Sequence, residues 1–307
     1  MKRNNIIILV VVIVLLGVGV YYFTSSSPKN SAIPENTNTA TDIQKNINNP
    51  YIATSSKPIN KDETIIGTSV NGLPITAYHY GTGADEILFV GGIHGGYEWN
   101  TSLVAFEAMD YLKANPNVIP SNVKVTVIPV LNPDGLNKVV GTSSRFSMSD
   151  IPTSETATIP GRFNANTVDL NRNFDCDWQT TGKWQSRTVS GGSAAFSEPE
   201  SLAIKTYVDM KGPKAVVAWY SAAGGVYSSS CHNGVSTETA KLTNLFAKAS
   251  GYPAYEEFDY YAITGDMVNW LAKQNVPAIS VLLTNHKDTE WTKNLAGIKA
   301  VLNNYAK

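Results

Sequence analysis

The stretch AVVAWYSAAGG, Ala215 to Gly225, decides how the rest of the chain is read. An unbroken apolar run that empties into small residues and glycines is the pattern of a strand buried on both faces and reaching an open sheet edge. In α/β proteins such edges hold the sites. Here the run closes on Tyr220, whose phenol, with an ordinary pKa of about 10, is a poor participant in acid–base or metal chemistry near neutrality.

Working outward, strands alternate with helices. TIIGTSV and LPITAYHYG, on either side of Asn71-Gly72, read as a hairpin. EILFVGGIHGG, KVTVIPVLNPDG and AISVLLT read as strands running into turns. SLVAFEAMDYLKANP, SEPESLAIKTYVDMKG, STETAKLTNLFAKASG, TGDMVNWLAKQ and NLAGIKAVLNNYA have helical periodicity. Ser197 stands three residues before Glu200, the spacing of a capping box. The alternation predicts a three-layer α/β/α sandwich around a mixed, largely parallel sheet.

That domain spans 63–307. Before it, Lys2 and Arg3 precede an uncharged run from Ile6 to Phe23. The run is long enough to cross a bilayer, and its aromatic end suits an interface. Residues 1–23 are therefore expected to be a single-pass anchor with a cytoplasmic N-terminus and the domain outside. Residues 24–62, rich in Ser, Asn, Thr and Pro, read as a flexible polar linker. An exported domain permits a disulfide between Cys176 and Cys231, the alternative being two separate thiols. The net charge of −1 over 307 residues offers no basic field for nucleic acid.

Several strings carry chemistry. His94 at a strand end and Glu98 four residues later can converge on one zinc ion, glycines letting the backbone bend between them. The plain alternative is a loop histidine beside a surface glutamate. In GRFNANTVDLNRNFDCDW, Arg162, Asn171 and Arg172 offer two guanidinium groups and an amide. Arginine forks bind carboxylates bidentately and stabilise oxyanions.

In order along the chain, GGIHGGYE, NPDG, RFNANTVDLNRNF, SGGSAAFSEPE, YYAITGDMVNW and AISVLLTNH resemble the zinc carboxypeptidase family of the carboxypeptidase A type. The resemblance implies that His94 and Glu98 are the first two ligands of one zinc ion. It implies that Arg162 polarises the scissile carbonyl, that Asn171 and Arg172 grip the terminal carboxylate, and that Tyr261 closes over the peptide. The implied partner is a peptide with a free C-terminal carboxylate.

Three positions depart from the family's pattern. His94 and Glu98 are four residues apart where the family has three. Tyr220 stands where the family has its third zinc ligand, a histidine followed by serine. Leu282 stands where the family has its general-base glutamate. His232 with Cys231 as ligands, or His286 or Glu290 as base, are the available substitutes. Two functions follow: a metallocarboxypeptidase working through zinc-activated water, or an impaired relative that binds peptide C-termini or cell-wall peptides without hydrolysis. Asp266 either favours a basic terminal residue or caps the following helix.

Overall fold

A computed structural model describes residues 62–307. The anchor and nearly all of the linker expected from the sequence lie outside these residues. Among the described residues no helix is long and apolar enough to cross a membrane.

The elements, in chain order, are strands β1 (Glu63–Thr68), β2 (Pro74–Tyr80) and β3 (Asp85–Val90), then helix α1 (Trp99–Ala114). β4 (Val123–Ile128), α2 (Pro133–Val140), β5 (Thr181–Trp184) and β6 (Arg187–Ser190) follow. The last part holds α3 (Pro199–Lys211), β7 (Ala215–Ser221), β8 (Gly225–Ser228), α4 (Thr237–Ser250), β9 (Ala254–Tyr255), α5 (Met267–Lys273), β10 (Ala278–Leu283) and α6 (Trp291–Asn304). An eight-stranded sheet runs β1-β2-β4-β3-β7-β10-β8-β9. Its centre, β4-β3-β7-β10, is parallel, and β1, β2 and β8 join antiparallel to their inner neighbours. The expected three-layer sandwich is the observed architecture.

Strand periodicity sorts the side chains between the two faces. From β7, Ala215, Val217 and Trp219 point to one layer with Phe106, Phe246 and Ile298 of α1, α4 and α6. Val216, Ala218 and Tyr220 point to the other, with Ile204, Tyr207, Met267 and Trp270 of α3 and α5. Each fully buried large side chain contributes roughly 1.5–3 kcal/mol. Trp219 is buried at no polar penalty, because its indole N–H donates to Asn294 Oδ1 at 3.0 Å.

Two local readings change. The NPDG string is not merely a turn but the start of α2. Asn132 caps it, accepting from the Gly135 N–H at 2.8 Å, and Pro133 occupies the first turn. The capping box at Ser197 does not form, because α3 begins one residue later with Glu198 at its N-cap. Glu198 is held there by amide donation from Asn164 and Asn166 at 2.7 and 2.8 Å, and Ser197 donates to Glu198 instead.

Cys176 and Cys231 are joined in a disulfide that closes a 55-residue separation. It ties the long loop carrying Asn171 and Arg172 to the segment after β8. Chain entropy alone gives such a closure about 4 kcal/mol. Reduction should therefore lower the urea midpoint and raise the slope, because the uncrosslinked denatured chain is more expanded, measured by denaturation with and without dithiothreitol.

Candidate functional site

A cavity of about 920 Å³ opens beyond the ends of β7 and β10, lined by His94, Glu98, Arg162, Asn171, Arg172, Tyr220, Tyr261 and Leu282 among others. The sheet register explains part of this. β7 and β10 pair in parallel with Leu282 opposite Tyr220. Both side chains belong to the same face of the sheet.

The turn after β3 delivers His94 and Glu98. The extra residue between them is absorbed because Gly95 adopts φ +43°, and a Cβ there would meet Gly161 O at 2.7 Å. His94 Nδ1 consequently still lies 2.9 Å from Glu98 Oε1, and Nε2 lies 3.3 Å from Asp169 Oδ1. These approaches are close but misdirected: neither ring nitrogen has a partner in hydrogen-bonding geometry, and both are buried.

Arg162 supplies the positive charge of the cluster. Its Nε and Nη2 reach Asp169 Oδ2 at 2.9 and 2.8 Å, and its Nη1 lies 3.5 Å from Glu98 Oε1. The guanidinium sits 4.5 Å over the Trp184 ring and is 2% exposed. Burial opposes ionisation of Asp169, but Arg162 and then His94 outweigh it and hold the carboxyl well below its usual range. Glu98 shifts down as well: its burial is outweighed by His94 and Arg162.

At the other end, Asn171 is fixed on both sides of its amide. Its Nδ2 donates to Asp266 Oδ2 at 2.7 Å, and its Oδ1 accepts from Met267 N at 3.1 Å and from the Tyr220 hydroxyl at 3.3 Å. Arg172 donates from Nε and Nη2 to Lys183 O and from Nη1 to Asn171 O. A guanidinium has five N–H donors, so two remain for a ligand. Gly182 makes room for this side chain, since a Cβ there would meet Arg172 Cδ at 2.6 Å. Tyr261, half-buried, lies with its ring 5.9 Å from the Arg172 guanidinium carbon, whereas Tyr260 is 62% exposed.

The donor set does not fit a three-ligand zinc site. His94 and Glu98 offer two donors. The third position holds Tyr220, whose pKa is raised well above its ordinary value by burial, then by Asp266 and Glu98. Its neutral hydroxyl is committed to Asn171. Three of the four substitutes read from the sequence are not in place. Cys231 is in the disulfide, and His232 pairs with Asp177 at 2.9 Å on the surface. Glu290 accepts from Thr284 and Tyr252 beneath the start of α6. Among the described residues no group of three or more His, Cys, Asp and Glu side chains is arranged to hold a metal ion. His286 does line the cavity, its Nδ1 3.0 Å from Ser221 Oγ, and burial moves its pKa down.

The family model for zinc carboxypeptidases matches residues 54–300. The chain belongs to the zinc carboxypeptidase family. No curated protein sequence matches it significantly. Among solved structures it is similar to the murein-tripeptide amidase MpaA from Escherichia coli O157, at 19% identity, TM-score 0.56, covering 81% of this chain and 94% of that one. It is also similar to bovine thrombin-activatable fibrinolysis inhibitor, at 15% identity and TM-score 0.62, covering 79% and 90%. The carboxypeptidase A from Helicoverpa armigera matches at 18% identity and TM-score 0.59, covering 78% and 66%.

In this family member the residues singled out from the sequence do meet in one cavity: His94, Glu98, Arg162, Asn171, Arg172, Tyr220 and Tyr261. Sequence reading missed four that hold them. Asp169 clamps Arg162 and flanks His94, and Trp184 floors the guanidinium. Asn100 accepts from Ser221 Oγ at 3.0 Å, and Ser221 N–H donates to Glu98 Oε2 at 3.0 Å. Two of them left a sequence signal: Asp169 as an acidic residue inside the quoted VDLNRNF string, and Ser221 as the serine that follows the third-ligand position.

Removing Arg162 would strand two buried carboxylates, so Arg162→Met should cost about 3–5 kcal/mol in urea denaturation. Both carboxyls have folded pKa values below their unfolded ones. Their contribution is therefore complete above the ordinary carboxylate range and drains as pH falls through and below it. Wild type should lose stability below about pH 4 more steeply than Arg162→Met, read from urea midpoints across pH.

Proposed function

We propose that this zinc carboxypeptidase relative binds the C-termini of peptides without hydrolysing them. The observation that carries this reading is the Tyr220–Leu282 register pair. The positions that the family resemblance gives to a zinc ligand and a general base are filled by a neutral phenol and an alkyl chain, side by side on the cavity wall. A leucine cannot take a proton from water, and loss of positioned acid–base catalysis alone costs about 10²–10⁴-fold. The binding half of the cavity is intact by contrast. Arg172 keeps two unused donors beside Tyr261, and Asn171 is held against Asp266.

A carboxylate entering here meets a guanidinium whose position is already fixed by backbone carbonyls, so little ordering entropy opposes binding. Arg162 is less available, because its charge is balanced by Asp169 and Glu98. Its role in this chain is to hold the cluster rather than to polarise a carbonyl. Peptides with a free carboxylate, cell-wall peptides among them, form the ligand class. From the sequence pattern of Lys2, Arg3 and Ile6 to Phe23 we place the domain outside a membrane and tethered to it.

The wild-type chain should bind N-acetylated peptides but release no C-terminal residue from them, with or without added zinc. Binding should fall at least tenfold when the carboxylate is amidated, since a charge-assisted hydrogen bond is lost. The double variant Tyr220→His/Leu282→Glu should acquire about one zinc per chain by metal analysis and begin to release C-terminal residues. Zinc-dependent turnover by the wild type, lost in His286→Ala, would instead identify His286 as a relocated base and overturn the proposal.

A further inference from the structure

At the His94 end of the cavity the surrounding hydrogen bonds decide where one imidazole carries its proton. Asn100, in the first turn of α1, is fully buried, and its Nδ2 donates to Asn285 O at 2.7 Å and to Asp288 O at 3.0 Å. Two carbonyls can only accept, so the amide has one orientation and its Oδ1 is left as an acceptor. The Ser221 hydroxyl donates to that oxygen at 3.0 Å. This uses the hydroxyl's single proton. In the remaining contact, 3.0 Å between Ser221 Oγ and His286 Nδ1, the imidazole is therefore the donor. The bond made by one ring nitrogen sets the state of the other. With the proton on Nδ1, and with burial disfavouring the charged ring, Nε2 carries a lone pair.

That lone pair is unspent. His286 lines the cavity, and its Nε2 has no hydrogen-bond partner among the described residues. The ring is also fixed in place. It lies against Tyr97, with centroids 4.6 Å apart, and its loop is held by Asn100 from one side. From within the loop, Asn285 Oδ1 accepts from the N–H groups of Lys287 and Asp288 at 2.7 and 2.9 Å. An acceptor so fixed loses little further freedom on binding. The charged groups that act on His286 are Glu98, Glu155, His94 and Arg162. It thus belongs with the His94 cluster rather than with the Arg172 anchor. A peptide whose terminal carboxylate sits at Arg172 meets His286 with the chain that precedes its last residue. Each N–H of that chain loses water on entry and needs an acceptor in exchange.

We propose that His286 Nε2 accepts a backbone N–H of the bound peptide upstream of its terminal residue, so that the site prefers amide-linked ligands to their ester counterparts. Asn100 and Ser221 are positioning residues that act through the ring by fixing its tautomer. The inference rests on the C-terminus-binding reading and adds a second point of contact to it. The ligand's acceptor group, the carboxylate, goes to the donors of Arg172, and a ligand donor goes to the lone pair of His286. Two contacts of opposite sense fix the direction in which the peptide lies.

Two measurements on the full chain test this. The first is nitrogen NMR of protein with isotopically labelled histidine rings, at about pH 8, above the ordinary histidine range. The His286 ring, identified by its loss in His286→Phe, should carry its proton on Nδ1. Ser221→Ala should move the proton to Nε2, and Ser221→Thr, which keeps the hydroxyl, should leave it on Nδ1. A proton on Nε2 in the wild type would overturn the proposal. The second is isothermal titration with N-acetyl-trialanine and with analogues in which the N–H of the first or the second alanine is replaced by an ester oxygen. The wild type should bind one of the esters about three- to tenfold more weakly than the amide, the size of one neutral hydrogen bond. His286→Phe should bind that ester and the amide alike. The same amide preference in His286→Phe as in the wild type would remove His286 as the acceptor while leaving C-terminus binding standing. Failure of every carboxylated peptide to bind would overturn both.

Discussion

The parallel pairing of β7 with β10 is the constraint on which the rest of the molecule depends. In a parallel ladder the register fixes which residues share a face and a level. With Leu282 opposite Tyr220, both side chains stand on the cavity side while Val281 and Trp219 go to the other core. A slip of one residue would turn the cavity wall into helix-packing surface and bury the wrong set. The two family positions replaced in this chain are therefore physically adjacent, and each replacement makes the other easier to keep. A phenol and an alkyl chain pack against one another, whereas a lone carboxylate beside Leu282 or Tyr220 would lack a cation.

Around that pair the charges balance without a histidine at the third-ligand position. His94 lies between Glu98 and Asp169, and Arg162 closes the arrangement from the side against Trp184. Buried carboxylates demand a compensating positive charge. Here a guanidinium with three short or moderate approaches provides it, and an aromatic ring restricts the guanidinium's motion. A cation engaged by two carboxylates has little charge left for a carbonyl. The carboxylate anchor escapes this trade, because Arg172 is held by neutral backbone carbonyls and keeps its full charge for a ligand.

The two halves of the cavity are thus constrained differently within one sheet. The His94 half is a closed charge network, satisfied internally apart from the ring nitrogens. The Arg172 half keeps two guanidinium N–H donors unused, with the ring of half-buried Tyr261 nearby. That contrast between the two halves is what the proposed recognition function rests on.

Much of this was legible in the chain itself. The apolar run of β7, its glycine-rich exit and the order of six motifs determined the fold class, the family and the residues that meet in the cavity. Tyr220 and Leu282 could be named as departures because both sit within strand patterns of fixed period. What tertiary structure alone decided was the partnering. That Cys231 closes a disulfide, that His232 and Glu290 are engaged elsewhere, and that Asp266 uses both oxygens all depend on contacts between residues far apart in sequence. The same holds for α3, whose start moved from Ser197 to Glu198 because Asn164 and Asn166 hold that glutamate. Periodicity is a local property and survives in a sequence, whereas the pairing of charges and hydrogen bonds is decided only when the sheet brings its loops to one edge.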